Sequence, residues 1–220
     1  MNIERIRKKL SHLKEITGGS YIDCGYMYDE VALLVYSLIK FYKPNVIIQT
    51  GHLWGKSALI GLEALTDGFT QTISNGFETE DQLSDVKYNK FVKNHKPEQV
   101  NPIFISIDPI FPVMAAKYKD GIEFLREQYP AFQFIKDSSH NALPKLEINS
   151  DRVLCIVDGD HTFGGCLQDL QNMNRFNPLL QIVDDTLFLD DCGDACLTFA
   201  KQQNKEATFF DLYNGICIIK

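Results

Sequence analysis

Ile3, Ile6, Leu10, Leu13 and Ile16 recur at helical spacing, with charged and polar residues between them. The pattern predicts an amphipathic helix over 3–16, docked on the domain or on a neighbouring subunit. "DEVALLVYSLIKFY" predicts a second helix, with Asp29 at its N-terminus and Pro44 ending it. Beyond it, short apolar runs alternate with helical stretches. The predicted strands are "VIIQT" (46–50), "IFISID" (103–108), "FQFIKD" (132–137), "RVLCIVD" (152–158) and "TLFLDD" (186–191). Helices are expected near 56–65, 113–128, 164–175 and 193–203. Near-continuous Ile, Val and Phe runs suit strands buried on both faces, so the alternation predicts a doubly wound α/β sheet covered by helices.

The end of the chain departs from this alternation. "ATFFDLYNGICIIK" is two strand-like runs joined by Asn214-Gly215, a two-residue hairpin signal, so the last pair is expected to be antiparallel. Residues 69–102 are polar and far longer than a usual connection; they read as an insertion with one short helix near 80–93. No repeat, low-complexity tract or linker divides the chain. Residues 1–220 are therefore expected to form one domain, with N-terminal helices in 1–42, and 45% hydrophobic content supports a sizeable core.

Charge and cysteine usage narrow the function classes. A net charge of -7 disfavours phosphate-backbone binding, which relies on Lys and Arg, so nucleic acid is not the expected partner. The longest apolar run, 31–39, is too short to span a bilayer, and "MNIERIRKKLSHLKEI" has no apolar signal core, so no membrane partner is expected. The six cysteines include no CxxC pair, and Cys155 and Cys217 lie in apolar runs as small hydrophobes. A cytoplasmic protein with reduced thiols is expected. Cys192 and Cys196 could share a metal or a disulfide, with helical packing the expected role.

In an open α/β sheet, ligands bind beyond the carboxyl ends of the strands. The first strand is followed by "TGHLWGKSAL", where Gly51 and Gly55 precede Ser57 at a helix start, an arrangement that suits close backbone approach to an anion. Asp108 after the second strand could accept hydrogen bonds from ribose hydroxyls or simply start the turn at Pro109. Asp137, Ser138 and Ser139 after the third could contact a base or cap a turn. The fourth ends in "CIVDGDHTF", with Asp158, Asp160 and His161, and the fifth in Asp190 and Asp191. Carboxylates gathered on one rim repel one another, and a divalent cation with oxygen ligands would relieve that repulsion.

The pieces "VIIQTGHLWGKSALIGLEAL", "ISIDP", "FQFIKDSSHNALPKL", "VLCIVDGDHTFGGCLQDL" and "TLFLDDCGD" stand in an order that resembles class I S-adenosylmethionine-dependent methyltransferases. The nearest branch is that of the macrocin-type and catechol-type O-methyltransferases. The resemblance runs from about residue 21 to the end, and its most specific piece is "DGDH" followed by a helix carrying Asp169. It implies a Rossmann-like, seven-stranded sheet with an antiparallel C-terminal hairpin. It also implies an S-adenosylmethionine cradle of Gly51, Gly55 and Ser57, with Asp108 on the ribose and Asp137 and Ser138 near the adenine. The implied metal ligands are Asp158, Asp190 and Asp191 for one divalent ion, with magnesium expected, and the implied general base is Asp160.

These readings combine into divalent-metal-assisted methylation of a small-molecule hydroxyl. Asp160 or His161 would accept the proton, His161 being better matched to neutral pH. His161 could equally be a helix-start residue bonded to a neighbour, and Trp54 could line a substrate pocket or pack in the core. Three departures from the family pattern bear on the cofactor: Gln49 stands where an acid is usual, His52-Leu53-Trp54 fills a loop of usually small residues, and 69–102 is inserted. They support an alternative in which the domain is a degenerate methyltransferase fold serving as a binding or scaffold module. A nicotinamide-dependent oxidoreductase fits less well, given half a glycine fingerprint and an antiparallel tail. Neither the methyl acceptor nor a homo-oligomeric state is specified by these patterns.

Overall fold

A computed structural model of the protein describes residues 3–18, 29–66, 102–110, 115–187 and 190–220. The expected helix near 80–93, with nearly all of the 69–102 insertion, lies outside the described residues. The parallel strands are β1 (Val46–Thr50), β2 (Ile103–Ile107), β3 (Phe132–Ile135), β4 (Val153–Val157) and β5 (Leu180–Asp184). β6 (Ala207–Phe210) and β7 (Ile216–Ile219) complete a seven-stranded sheet of order β3-β2-β1-β4-β5-β7-β6, with β7 antiparallel to both neighbours. This is the Rossmann-like sheet with an antiparallel C-terminal hairpin that the sequence implies.

The strands alternate their side chains between two apolar layers, as period-2 geometry requires. Ile47, Phe104, Leu154 and Ile182 face one layer, which includes residues of α1 (Ile3–Thr17), α2 (Asp29–Tyr42), α3 (Lys56–Thr66) and α4 (Ala115–Gln128). Ile48, Ile105, Cys155 and Val183 face the other, with α5 (Ser139–Ala142), α6 (Phe163–Asn174) and α7 (Asp190–Gln203). Cys155, Cys166, Cys192, Cys196 and Cys217 are unbridged and buried in that second layer. Among the described residues, no helix is long and apolar enough to cross a membrane.

Two sequence expectations need correction. The fifth strand is residues 180–184, not 186–191; of the latter, 186 and 187 lie in a turn and 190 and 191 open α7. Gln181 hides the true strand, because a polar residue interrupts its apolar run although its side chain is fully buried. The hairpin also turns through residues 211–215 rather than through two residues, since Phe210 pairs with Ile216. Tyr213 and Gly215 both take positive φ there, at 51° and 83°.

The N-terminal helix docks on its own domain. Ile6 and Leu13 enter the core, and a buried ion cluster fixes the contact. Glu63 of α3, 1% exposed, accepts hydrogen bonds from the Arg5 guanidinium, from Lys9 Nζ at 2.9 Å and from the Tyr129 hydroxyl. Burial alone would raise the Glu63 pKa, but these donors overcome it and hold the carboxyl below its ordinary value. Glu63→Ala is expected to cost about 3 kcal/mol in urea unfolding, the scale for breaking a buried pair. Arg5→Ala, which removes a partner 44% exposed, is expected to cost about 1 kcal/mol or less in the same measurement.

Candidate functional site

The sheet order reverses between β1 and β4, and there the two carboxyl ends meet. Asp158 N donates to Thr50 O at 3.1 Å, and Gly51 N donates to Ile107 O at 2.9 Å. Gly51 has φ +79°, and a Cβ on it would stand 1.8 Å from the Asp158 carbonyl oxygen. Glycine is therefore required by contact as well as by backbone conformation.

Asp108 secures the glycine loop from the β2 side. Its Oδ2 accepts from His52 N at 2.8 Å and its Oδ1 from Ile110 N at 2.7 Å, and the residue is 5% exposed. Gln49 Nε2 donates to Gly51 O and to Ser57 Oγ, both at 2.6 Å, from a fully buried position. The bulky loop residues turn inward: His52 packs against Tyr118, Phe132 and Phe134, and Trp54 against Tyr118. Trp54 is thus a core residue, 6% exposed. Gly55, at φ +81°, leaves room for the His52 ring and Leu125.

Beyond β3, Asp137 and Ser138 organise α5. Asp137 Oδ1 accepts from Ser138 N at 2.8 Å, and Ser138 caps the helix by accepting from Asn141 N. Asp169, fully buried on α6, lies with Oδ1 3.7 Å from His140 Nε2, and burial pushes its pKa up to about 6.

A carboxylate–imidazole cluster lies at the ends of β4 and β5. His161 Nε2 is 3.5 Å from Asp158 Oδ1 and 3.5 Å from Asp185 Oδ2. One ligand atom from each of these residues falls within 4.8 Å of the other two, the one grouping of this kind among the described residues. Asp184 and Asp185 are both buried, at 6% and 8% exposure. Burial, then the neighbouring Asp158 and Asp185 charges, drive Asp184 well above the carboxylate range. Burial likewise raises Asp158, against the pull of His161. The adjoining Asp158 carboxylate lifts His161 to about 9, against burial and with help from Asp185 and Asp184. Without a metal, the ring is the counter-ion of this acidic group.

The acidic pair expected after the fifth strand is therefore Asp184 and Asp185. Asp190 and Asp191 instead open α7, where exposed Asp191 accepts from Phe163 N at 3.3 Å. The signal was present in "QIVDD", an apolar run ending in two acids, but "TLFLDD" carries the same pattern without an interrupting glutamine. Asp160 and His161 separate clearly. Asp160 is exposed and accepts at 3.0 Å from the N–H of Thr162, the residue that caps α6, whereas His161 joins the cluster.

No family model matches the chain, and no curated protein sequence matches it. Solved structures do. An SAH-bound methyltransferase from Podospora anserina aligns with a TM-score of 0.61 at 14% identity, over 100% of this chain and 96% of that one. An O-methyltransferase from Bacillus cereus, in complex with SAH, aligns at TM-score 0.64 and 10% identity, over 96% and 90% of the two chains. A Geobacter sulfurreducens methyltransferase aligns at 0.58 and 13%, over 98% and 87%. The chain has the class I methyltransferase fold. Within that fold, the glycine loop stands beside the acidic cluster across the β1–β4 switch point.

His52 makes the loop's packing sensitive to acid. Burial, helped by Arg126, lowers its pKa to about 3 from an ordinary 6.5, so the unfolded chain takes up a proton that the folded chain refuses. This contribution is complete above about pH 6.5 and is lost as pH falls toward 3, by up to about 1.4 kcal/mol per pH unit. Urea unfolding between pH 7 and 4 is expected to show a shallower loss of stability in His52→Gln than in the native chain.

Proposed function

We propose that the protein transfers a methyl group from S-adenosylmethionine to a hydroxyl of a small molecule, at a divalent-cation site formed by Asp158, His161 and Asp185. The observation that carries this reading is the carboxylate–imidazole cluster at the end of β4 and β5, one strand from the glycine loop. The SAH bound in two of the structural relatives supports the choice of cofactor.

The residues fit both groups. His52 and Trp54 project into the core, so the altered loop places no bulky side chain from these positions over its outer surface. Gly51 and Gly55, with the start of α3, would receive the cofactor, with Asp137 and Ser138 at the β3 end facing its base. Ser57 would contribute through its backbone, because its hydroxyl is engaged by Gln49. Asp108 would serve the ribose side while its two oxygens hold His52 N and Ile110 N. At the cluster, carboxylate oxygens of Asp158 and Asp185 with one imidazole nitrogen of His161 make a donor set for a divalent cation, the three atoms lying within 4.8 Å of one another. The nitrogen favours manganese or another first-row ion over magnesium, which prefers oxygen.

When bound, the cofactor supplies an electrophilic methyl group and the cation lowers the pKa of a hydroxyl set against it. The chain's own part is to align that hydroxyl between the cluster and the glycine loop, since methyl transfer needs collinear approach above all. His161 is placed to be a cation ligand through Nε2 rather than a proton acceptor, since one lone pair cannot serve both. Asp160 is not so placed, because it faces solvent and accepts from the N–H of Thr162 at the start of α6.

A second reading, a methyltransferase fold that binds without catalysis, draws on Gln49, whose amide replaces an acid and is spent inside the loop. Calorimetry with S-adenosylhomocysteine separates this non-cofactor module from the enzyme: micromolar binding is expected, and its absence would favour the module. Asp185→Ala is expected to weaken Mn²⁺ binding by more than about 100-fold, and Asp191→Ala to leave it near the native value. Equal loss in both variants would return the metal site to the start of α7.

A further inference from the structure

The antiparallel direction of β7 has a consequence for the site. Parallel strands bring their carboxyl ends to the ligand edge of the sheet, but β7 brings its amino end there, with Ile216 opposite Asp184. The turn that precedes β7 is thereby carried onto the loop that follows β5. Three hydrogen bonds join them. Thr186 N donates to Gly215 O at 3.2 Å, Leu187 N donates to Asn214 O at 2.7 Å, and Asn214 Nδ2 donates to Asp185 Oδ1 at 2.8 Å.

Asp185 needs such support. It sits at φ +58°, in the left-handed region where non-glycine residues pay a conformational cost. The two backbone bonds hold the loop just after it, and Gly215 permits their approach, since a Cβ there would lie 2.6 Å from Leu187 N. The side-chain bond does something different. It occupies Oδ1 and turns Oδ2 toward His161, at 3.5 Å.

We infer that Asn214 is a positioning residue, which orients the Asp185 carboxylate as a cation ligand by bonding its far oxygen from the C-terminal hairpin. The inference rests on the metal-site reading above and adds to it a residue from an element that contributes no ligand itself. Partners that orient ligating carboxylates characteristically alter metal affinity by about 10- to 100-fold when removed.

Asn214→Ala isolates the effect, because the Leu187–Asn214 and Thr186–Gly215 bonds use backbone atoms and remain available. Mn²⁺ binding is measured by calorimetry and by electron paramagnetic resonance of free Mn²⁺, with S-adenosylhomocysteine affinity and thermal melting recorded alongside. The expected result is Mn²⁺ affinity reduced by about 10- to 100-fold, with S-adenosylhomocysteine affinity within about twofold of native and the melting temperature within about 2 °C. Asn214→Asp, which replaces the donor with an acceptor beside Asp185, is expected to fall at least as far, and Asn214→Gln to recover part of the loss. Native Mn²⁺ affinity in Asn214→Ala, with loss in Asp185→Ala, overturns the positioning role and leaves the metal site standing. A native chain that binds no Mn²⁺ overturns both. A large fall in melting temperature with parallel loss of both ligands marks Asn214 as a structural residue and also overturns the inference.

Discussion

Everything at the ligand edge depends on the near-contact of β1 and β4 at Gly51. The absent side chain lets the Asp158 carbonyl occupy the position a Cβ would take, 1.8 Å from it. This contact sets the distance between the glycine loop and the cluster, because Asp158 belongs to both. Its backbone carbonyl lies against Gly51, and its carboxylate meets His161. Register follows from the same place: Thr50 stands between Ile107 and Val157, so the chain leaves β1 level with the ends of both neighbours. Any larger residue at 51 would have to part the strands whose ends form the site.

The second constraint is electrostatic. Asp158 and Asp184 stand beside Asp185 in partial or full burial, where desolvation and neighbouring negative charge both raise their pKa values. Packing does not ask for this, since apolar residues would fill the same volume at no such cost. The opposing case is at the other side of the sheet. Glu63 is as deeply buried, yet Arg5, Lys9 and Tyr129 satisfy it, and it serves to dock α1. One buried acid is fully compensated and structural. The acids beyond β4 and β5 have a single imidazole between them, and that contrast is what the proposed cation site rests on.

Most of the fold was legible because strand and helix leave different periods in the chain. The run at 153–157 is apolar throughout and that at 46–50 opens on three apolar residues in a row, and the structure buries all of both. β5 was not legible for a local reason: Gln181 sits fully buried among apolar neighbours with neither amide atom hydrogen-bonded, so its polarity misreports its environment. That one residue displaced the strand onto 186–191 and carried the acidic pair with it to Asp190 and Asp191. Asp158 and His161 were legible because their strand was read correctly. Asn214 was visible only as a turn former, since the hydrogen bond to Asp185 joins residues that sequence places far apart and that only the antiparallel β7 brings together. The separation of Asp160 from His161 was equally beyond sequence, because it depends on which way each side chain leaves the turn before α6.

The loop's departures from the family pattern look different once their directions are known. His52 and Trp54 are large, but both are spent on the core beneath the loop, and His52 is anchored there by Ser106 at 2.9 Å. Gln49 is neutral, and as a donor it bonds the Gly51 carbonyl, which a carboxylate cannot, as well as the Ser57 hydroxyl. All three residues therefore rebuild the support of the loop, whereas a ligand arriving from above meets backbone groups whose course is set by Gly51, Gly55 and Asp108. A loop that had merely lost its ligand would have no need of so closely bonded an underside. The substitutions form a connected set, in which an inward histidine needs the space of Gly55 and an inward amide needs the hydroxyl of Ser57. Such mutual dependence argues for a cradle held in shape by different means, on the same edge of the sheet as the cluster it would serve.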